Sequence, residues 1–186
     1  MPQFKAFDSK VETSGGGMLA LLAALSWNQT LAKEILAKQG IVNPQPDKWY
    51  PQQAALNTYK EIAETMGVHT LYQIGTKIPE TAIFPAEIDS LEKGLALLDI
   101  SYHLNHRGGE IGYYQLAKME SNRAVLVCYN PYPCDFDQGI IVGTVRRFAG
   151  GTVLVNERHD ESAGCRKLGG TSCTYIVEWV LFKNPT

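Results

Sequence analysis

Four cysteines, all in the last third of the chain, offer the most reactive side chains: Cys128, Cys134, Cys165 and Cys173. The last two flank a Gly169-Gly170 pair in the stretch CRKLGGTSC. Two thiols at the ends of a tight turn can close a disulfide, supply half of a metal site, or sit inert in a core. No CxxC knuckle chooses among these. Two histidines, His103 and His106, stand three apart just before Arg107-Gly108-Gly109. There they can cap a helix C-terminus, where positive charge meets the dipole, or line a pocket. A nucleophile and base can be cast from Cys134 beside Asp135 and Asp137, or from Cys165 with His159. Neither pairing has a third orienting residue, so catalysis is not expected.

The chain has 186 residues, 45% apolar and 19% charged, with a net charge of −2. That is enough for one domain over 1–186 with its own core. It carries no basic block, so direct nucleic-acid or membrane binding is not expected. The start, MPQFKAFDSKVETSGGG, mixes charges of both signs with glycines and does not read as a signal peptide. A cytoplasmic setting is therefore expected, where a structural disulfide is reduced. Residues 1–17 read as a flexible lead-in, because Gly15-Gly16-Gly17 lacks the Lys-Ser/Thr of a phosphate loop. The apolar run MLALLAALSW is too short to span a bilayer and predicts a buried helix.

The elements that must position these groups follow from periodicity. Helices are predicted over 18–38, with Leu21, Leu25, Trp27 and Leu36 buried, and from Pro51 to Gly67, with Ala55, Tyr59, Ile62 and Met66 on one face. A short helix over 68–74 is expected to stop at Gly75, and Pro79 and Pro85 to hold the next stretch in a loop. Asp89 is expected to cap a fourth helix with the stripe Leu91, Leu95, Leu98 and Tyr102. IGYYQLAK and AVLVCY, separated by ESNR, predict a hairpin. A helix over 137–148 follows, with Gly139 and Gly143 on one face for close packing, and TVLVNE and TYIVEWVLF complete an antiparallel sheet. Helices first and strands later give the α+β class. TYIVEWVLF is long for a strand and at an edge needs cover, so a homodimer is expected. Trp49, Tyr50, Tyr59, Tyr72, Tyr102, Tyr113 and Tyr114 fall on elements expected to face each other around a ligand cavity.

The stretches NHRGGEIGYY, CYNPYPCDFDQGIIVG and CRKLGGTSCTYIVEW together resemble the 4-vinyl reductase domain and the heme-nitric-oxide-binding-like superfamily, over residues 85–183. The resemblance implies a helical N-terminal half packed on a curved antiparallel sheet from the C-terminal half. It also implies a pocket for a small hydrophobic or aromatic ligand, and a non-catalytic sensory role that passes its signal to a separate partner. An enzyme or accessory of tetrapyrrole or aromatic metabolism, and a structural interaction module, are the alternatives. Tyr102, His103, His106, Tyr113 and Trp49 are the expected ligand-binding residues. In aromatic-sensing relatives three cysteines and a glutamate hold zinc, which implies Cys134, Cys165, Cys173 and, one residue out of register, Glu161. Cys128 and His159 are chemically able to replace a ligand. One branch ligates heme through a mid-chain histidine, but its Tyr-x-Ser-x-Arg motif is absent here. Zinc is therefore the implied cofactor, and heme is not expected.

Overall fold

The computed structural model describes residues 3–182, with Glu161 given by its backbone alone. A short strand β1 (Glu12–Ser14) leads into α1 (Gly16–Ala24) and α2 (Gln29–Lys38). The predicted first helix is thus two. Asn28 accepts a side-chain hydrogen bond from the Leu31 N–H and starts the second helix afresh, and the break turns Trp27 out to solvent rather than into the core. Part of the expected lead-in forms a strand. β1 pairs antiparallel with β2 (Trp49–Pro51) on one side and β3 (His106–Arg107) on the other, and Thr13 and Ser14 are buried between them.

Next come α3 (Gln52–Met66), α4 (Val68–Thr81), α5 (Leu91–Ala96) and α6 (Leu98–Leu104). The α4 helix runs through both expected stops. Pro79 lies inside it, and Arg147 donates to the Pro79 carbonyl. Gly75 is not a terminator but a contact point. A Cβ there would strike the Phe136 carbonyl oxygen and lie 3.0 Å from the Gly139 Cα. Ser90, not Asp89, caps α5 through the Lys93 N–H, while Asp89 pairs with the Lys93 ammonium at 2.9 Å.

The second half alternates as expected. β4 (Tyr113–Met119) and β5 (Arg123–Tyr129) form the hairpin, then α7 (Cys134–Phe148), β6 (Thr152–His159) and β7 (Cys173–Phe182) follow. The four long strands form one antiparallel sheet in the order β4-β5-β7-β6. Alternation buries Ala124, Leu126 and Cys128 of β5 and Cys173, Tyr175, Val177 and Trp179 of β7 on one face. Helix α7 packs against β6 and β7 on one side and α4 on the other, while α5 and α6 meet the sheet at β4. The long apolar strand β7 lies inside the sheet, paired on both sides, and the edge argument for a homodimer does not apply to it. No helix among the described residues is long and apolar enough to cross a membrane.

Candidate functional site

Between the helices and the small sheet lies an internal cavity of about 60 Å³, walled by Tyr59, Phe84, Tyr102, Tyr114, Tyr132 and Phe136 among others. No charged side chain lines it. The one titratable ring at its wall other than tyrosine is His106, partly buried at the start of β3. Its Nδ1 lies 2.8 Å from the Tyr102 carbonyl, which can only accept, so Nδ1 carries the proton. Nε2 therefore presents its lone pair, and the Tyr132 hydroxyl donates to it at 2.7 Å. Burial pushes this imidazole down from its ordinary 6.5 to about 4, so it is neutral at physiological pH. The unfolded chain takes up a proton below pH 6.5 that the folded one refuses until about 4. Stability therefore falls as pH drops through that window, by at most roughly 3 kcal/mol. Urea unfolding at pH 6.5 and 4.5 is expected to show this loss in wild type and to lack it in His106→Phe. An identical pH slope in both proteins would contradict the assignment.

The other expected ligand-binding residues divide. Tyr102 lines the cavity, donating its hydroxyl to the Ile111 carbonyl at 2.6 Å. His103 does not: its side chain is about half exposed, with Nδ1 2.9 Å from the Asp99 carbonyl on the α6 surface. Tyr113 points to the opposite face of β4 and stacks on Tyr129, while its neighbour Tyr114 points inward. Trp49 lies outside the cavity wall, under the Arg107 guanidinium at 4.4 Å.

The thiols gather elsewhere. Pro133 delivers Cys134 as the first residue of α7, Cys173 opens β7, and Cys165 precedes a short 3-10 turn that Gly169 closes at φ 90°. Cys134 Sγ lies 3.1 Å from Cys173 Sγ and 3.6 Å from Cys165 Sγ. His159, at the end of β6, brings a ring nitrogen into the same group, all four donor atoms lying within 4.8 Å of one another. Its Nε2 is buried without a hydrogen-bond partner. These four are a donor set of the kind a tetrahedral thiophilic metal uses. The Glu161 side chain lies outside the described residues; the fourth donor of this group is His159. All four cysteines are free thiols, and Cys128, buried in β5, is not part of the group. Cys134 shares a hydrogen bond with Cys173 that, with help from Arg166, lowers the Cys173 thiol and raises that of Cys134.

Sequence reasoning missed the group that joins the two sites. Arg166 turns inward, 3% exposed, and forms an ion pair with Asp137 while also donating to the Asn130 carbonyl and side chain. Its Nε lies 3.3 Å from Cys173 Sγ. The Tyr114 hydroxyl, from the cavity wall, donates to the same Asp137. Burial pushes the Asp137 carboxyl up to about 6 against the pull of Arg166, so it is ionised at neutral pH. Nothing in the local pattern of CRKLGG distinguishes this buried arginine from an exposed one.

A helical layer carrying an aromatic-walled pocket over a four-stranded antiparallel sheet defines an α+β architecture. Among solved structures this architecture is the H-NOX fold. An H-NOX protein from Shewanella oneidensis in the Fe(II)NO ligation state matches at TM-score 0.69 and 14% identity, over 90% of this chain and 99% of its own. An oxygen-binding H-NOX domain related to soluble guanylate cyclases matches at 0.60 and 14%, over 92% and 96%. A structure describing heme redox potential modulated by protein-induced porphyrin distortion matches at 0.58 and 16%, over 92% and 94%. No family model matches the sequence and no curated protein matches it. The heme-nitric-oxide-binding-like part of the resemblance is what these structures share; the 4-vinyl-reductase part finds no support. The expectation of zinc without heme is corrected by the same finding, since the solved neighbours are heme-type domains and toward zinc the chain offers only a cluster of donors. That expectation judged heme by a missing propionate-binding motif, and a buried imidazole facing a cavity has no short motif.

Proposed function

We propose that this chain is a non-catalytic, ligand-binding sensory domain whose internal cavity takes heme at His106. The observation that carries the reading is a neutral imidazole offering its Nε2 lone pair to an apolar, aromatic-walled cavity. The donor fits, because a neutral histidine fixed through its other nitrogen is the usual proximal ligand of heme iron. The space is narrow in this conformation: a cavity of about 60 Å³ admits a diatomic molecule or a few waters, so Tyr132 and its aromatic neighbours must turn aside for a porphyrin. With no charged group on the wall, the carboxylates of such a guest belong at the rim, where water can solvate them. A bound heme would supply an iron open to a diatomic gas, as the Shewanella neighbour holds NO on Fe(II) and the oxygen-binding neighbour holds oxygen. The residues of this chain would fix the ring plane and exclude water, and a change at α6 and β3 would pass to a separate signalling partner.

Hemin titrated into the purified protein is expected to give a stoichiometric Soret band, lost in His106→Ala and kept in His103→Ala. A spectrum indistinguishable from free hemin in the wild type would overturn the cofactor assignment. A band that survives in His106→Ala would move the ligand elsewhere.

A further inference from the structure

A guest larger than a few atoms enters a cavity of about 60 Å³ only if part of the wall moves. Most of that wall is held in helices and strands. Four wall residues stand outside them: Ala82, Phe84, Asn105 and Tyr132. Asn105 and Tyr132 are buried, at 7% and 4% exposed, whereas Ala82 and Phe84 are only partly buried. These two belong to 82–90, the segment between α4 and α5, whose Ile83 side chain is half exposed. Water lies on one side of this segment and the cavity on the other.

The two ends of the segment are fixed. The Thr81 hydroxyl donates to the Gly16 carbonyl at 2.8 Å, and Ser90 caps α5. Between them the backbone is held chiefly by Asn105. Its Oδ1 accepts from the Ile83 N–H at 3.1 Å, and its Nδ2 donates to the Ile83 carbonyl at 2.9 Å. The same amide accepts from the Ser14 hydroxyl at 2.8 Å and donates to the Ser101 carbonyl at 2.7 Å. An N–H only donates and a carbonyl only accepts, so the amide has one orientation and makes all four of its hydrogen bonds. The Lys93 ammonium reaches the Glu87 carbonyl at 3.5 Å, on the exposed side. Phe84 completes the attachment, its ring 5.4 Å from that of Phe148 and 4.8 Å from the Arg147 guanidinium.

We propose that residues 82–90 are a lid over the ligand cavity and that the Asn105 side chain is its latch. This rests on the cavity being the ligand site. Breaking two hydrogen bonds frees Ile83 and lets Phe84 swing off Phe148, which widens the cavity without unravelling a helix or a strand. Segments held by so few contacts open far more readily than the packed elements around them. Asn105 directly precedes His106, so the latch and the imidazole that faces the ligand ride on one stretch of backbone.

Diethyl pyrocarbonate acylates neutral imidazoles, so its rate at His106 in the ligand-free full chain, read by mass spectrometry, reports passage through the lid. His103, about half exposed, is the internal reference. Asn105→Ala, and Ile83→Pro, which removes only the latched N–H, are each expected to raise the His106 rate at least about tenfold, the worth of one hydrogen bond, with His103 unchanged. Proline suits the position because Ala82 before it is already extended, at φ −77° and ψ 154°. Ile35→Val loosens the core in α2, which does not wall the cavity, and is expected to leave the His106 rate as in wild type. Unchanged rates in the latch variants, or an equal rise in Ile35→Val, would overturn the lid. Should one latch variant not fold, the other decides. Hemin reads the cofactor assignment separately. The absence of a Soret band removes heme, and the His106 rates still decide the lid. Where the band forms, Ile83→Pro should speed hemin association and release by the same factor of about ten and leave the affinity unchanged, because the latch is remade behind the ligand. An unchanged association rate would count against the lid.

Discussion

Replacing Arg166 with methionine is expected to lower unfolding stability by about 3–5 kcal/mol, the cost of stranding one partner of a buried ion pair. The substitution leaves Asp137 with no cation in a place where both side chains are essentially inaccessible. It also takes donors from the Asn130 carbonyl and side chain and from Cys173 Sγ. Lysine should not rescue it, because one ammonium cannot satisfy the divergent acceptors that the guanidinium reaches at once. The pair itself, however, need not be a net source of stability. Arg166→Met combined with Asp137→Leu should recover much of the loss, since no charge is then left buried alone. Urea unfolding of the two single variants and the double variant measures this. A loss under about 1 kcal/mol in Arg166→Met, the range of exposed pairs, would mean the guanidinium is not desolvated as described.

Gly139→Val should be at least as damaging, for a steric reason. A Cβ at Gly139 would collide with the Tyr72 carbonyl oxygen and lie 2.9 Å from the Gly75 Cα. These are backbone atoms of α4, which cannot turn away as a flexible side chain can, so the two helices must separate. The expected loss exceeds the 1–3 kcal/mol typical of an overpacked core, corresponding to a fall in melting temperature of roughly 6–12 °C. Because Phe136 and Ile140 of α7 and Ile78 of α4 wall the cavity, whatever protein folds should also bind hemin poorly. Gly151→Ala is the control: its nearest neighbour, the Phe182 carbonyl oxygen, would lie at 3.9 Å, and the change should stay within about 0.5 kcal/mol. A Gly139→Val protein melting within about 2 °C of wild type would show that α4 and α7 do not touch through their backbones.

Much of this architecture was legible in the sequence. Short apolar runs bounded by turn residues set the four long strands, and the spacing of Gly139 and Gly143 marked a helix face meant for close approach. The Cys165–Cys173 turn was readable because the Gly169 that reverses it is local chemistry. Even the aromatic wall was half visible: Tyr102, Tyr59 and Tyr114 line the cavity, though Tyr113 and Trp49 do not.

What the sequence could not decide is the orientation of polar groups whose partners lie far along the chain. His103 and His106 stand three apart at the same helix end, yet one faces solvent and the other Tyr132, 26 residues on. Arg166 reads as surface until Asp137, 29 residues earlier, and Asn130, 36 earlier, enclose it. Pro79 and Gly75 read as helix stops, and α4 continues through them, packed against α7 where Gly75 leaves room. Local propensity is set by a residue and its chain neighbours, and it determined most of the elements here but not where α4 ends. The burial of an imidazole, a guanidinium or an amide is set by whether folding brings the right acceptor to it, and only the tertiary structure holds that pairing.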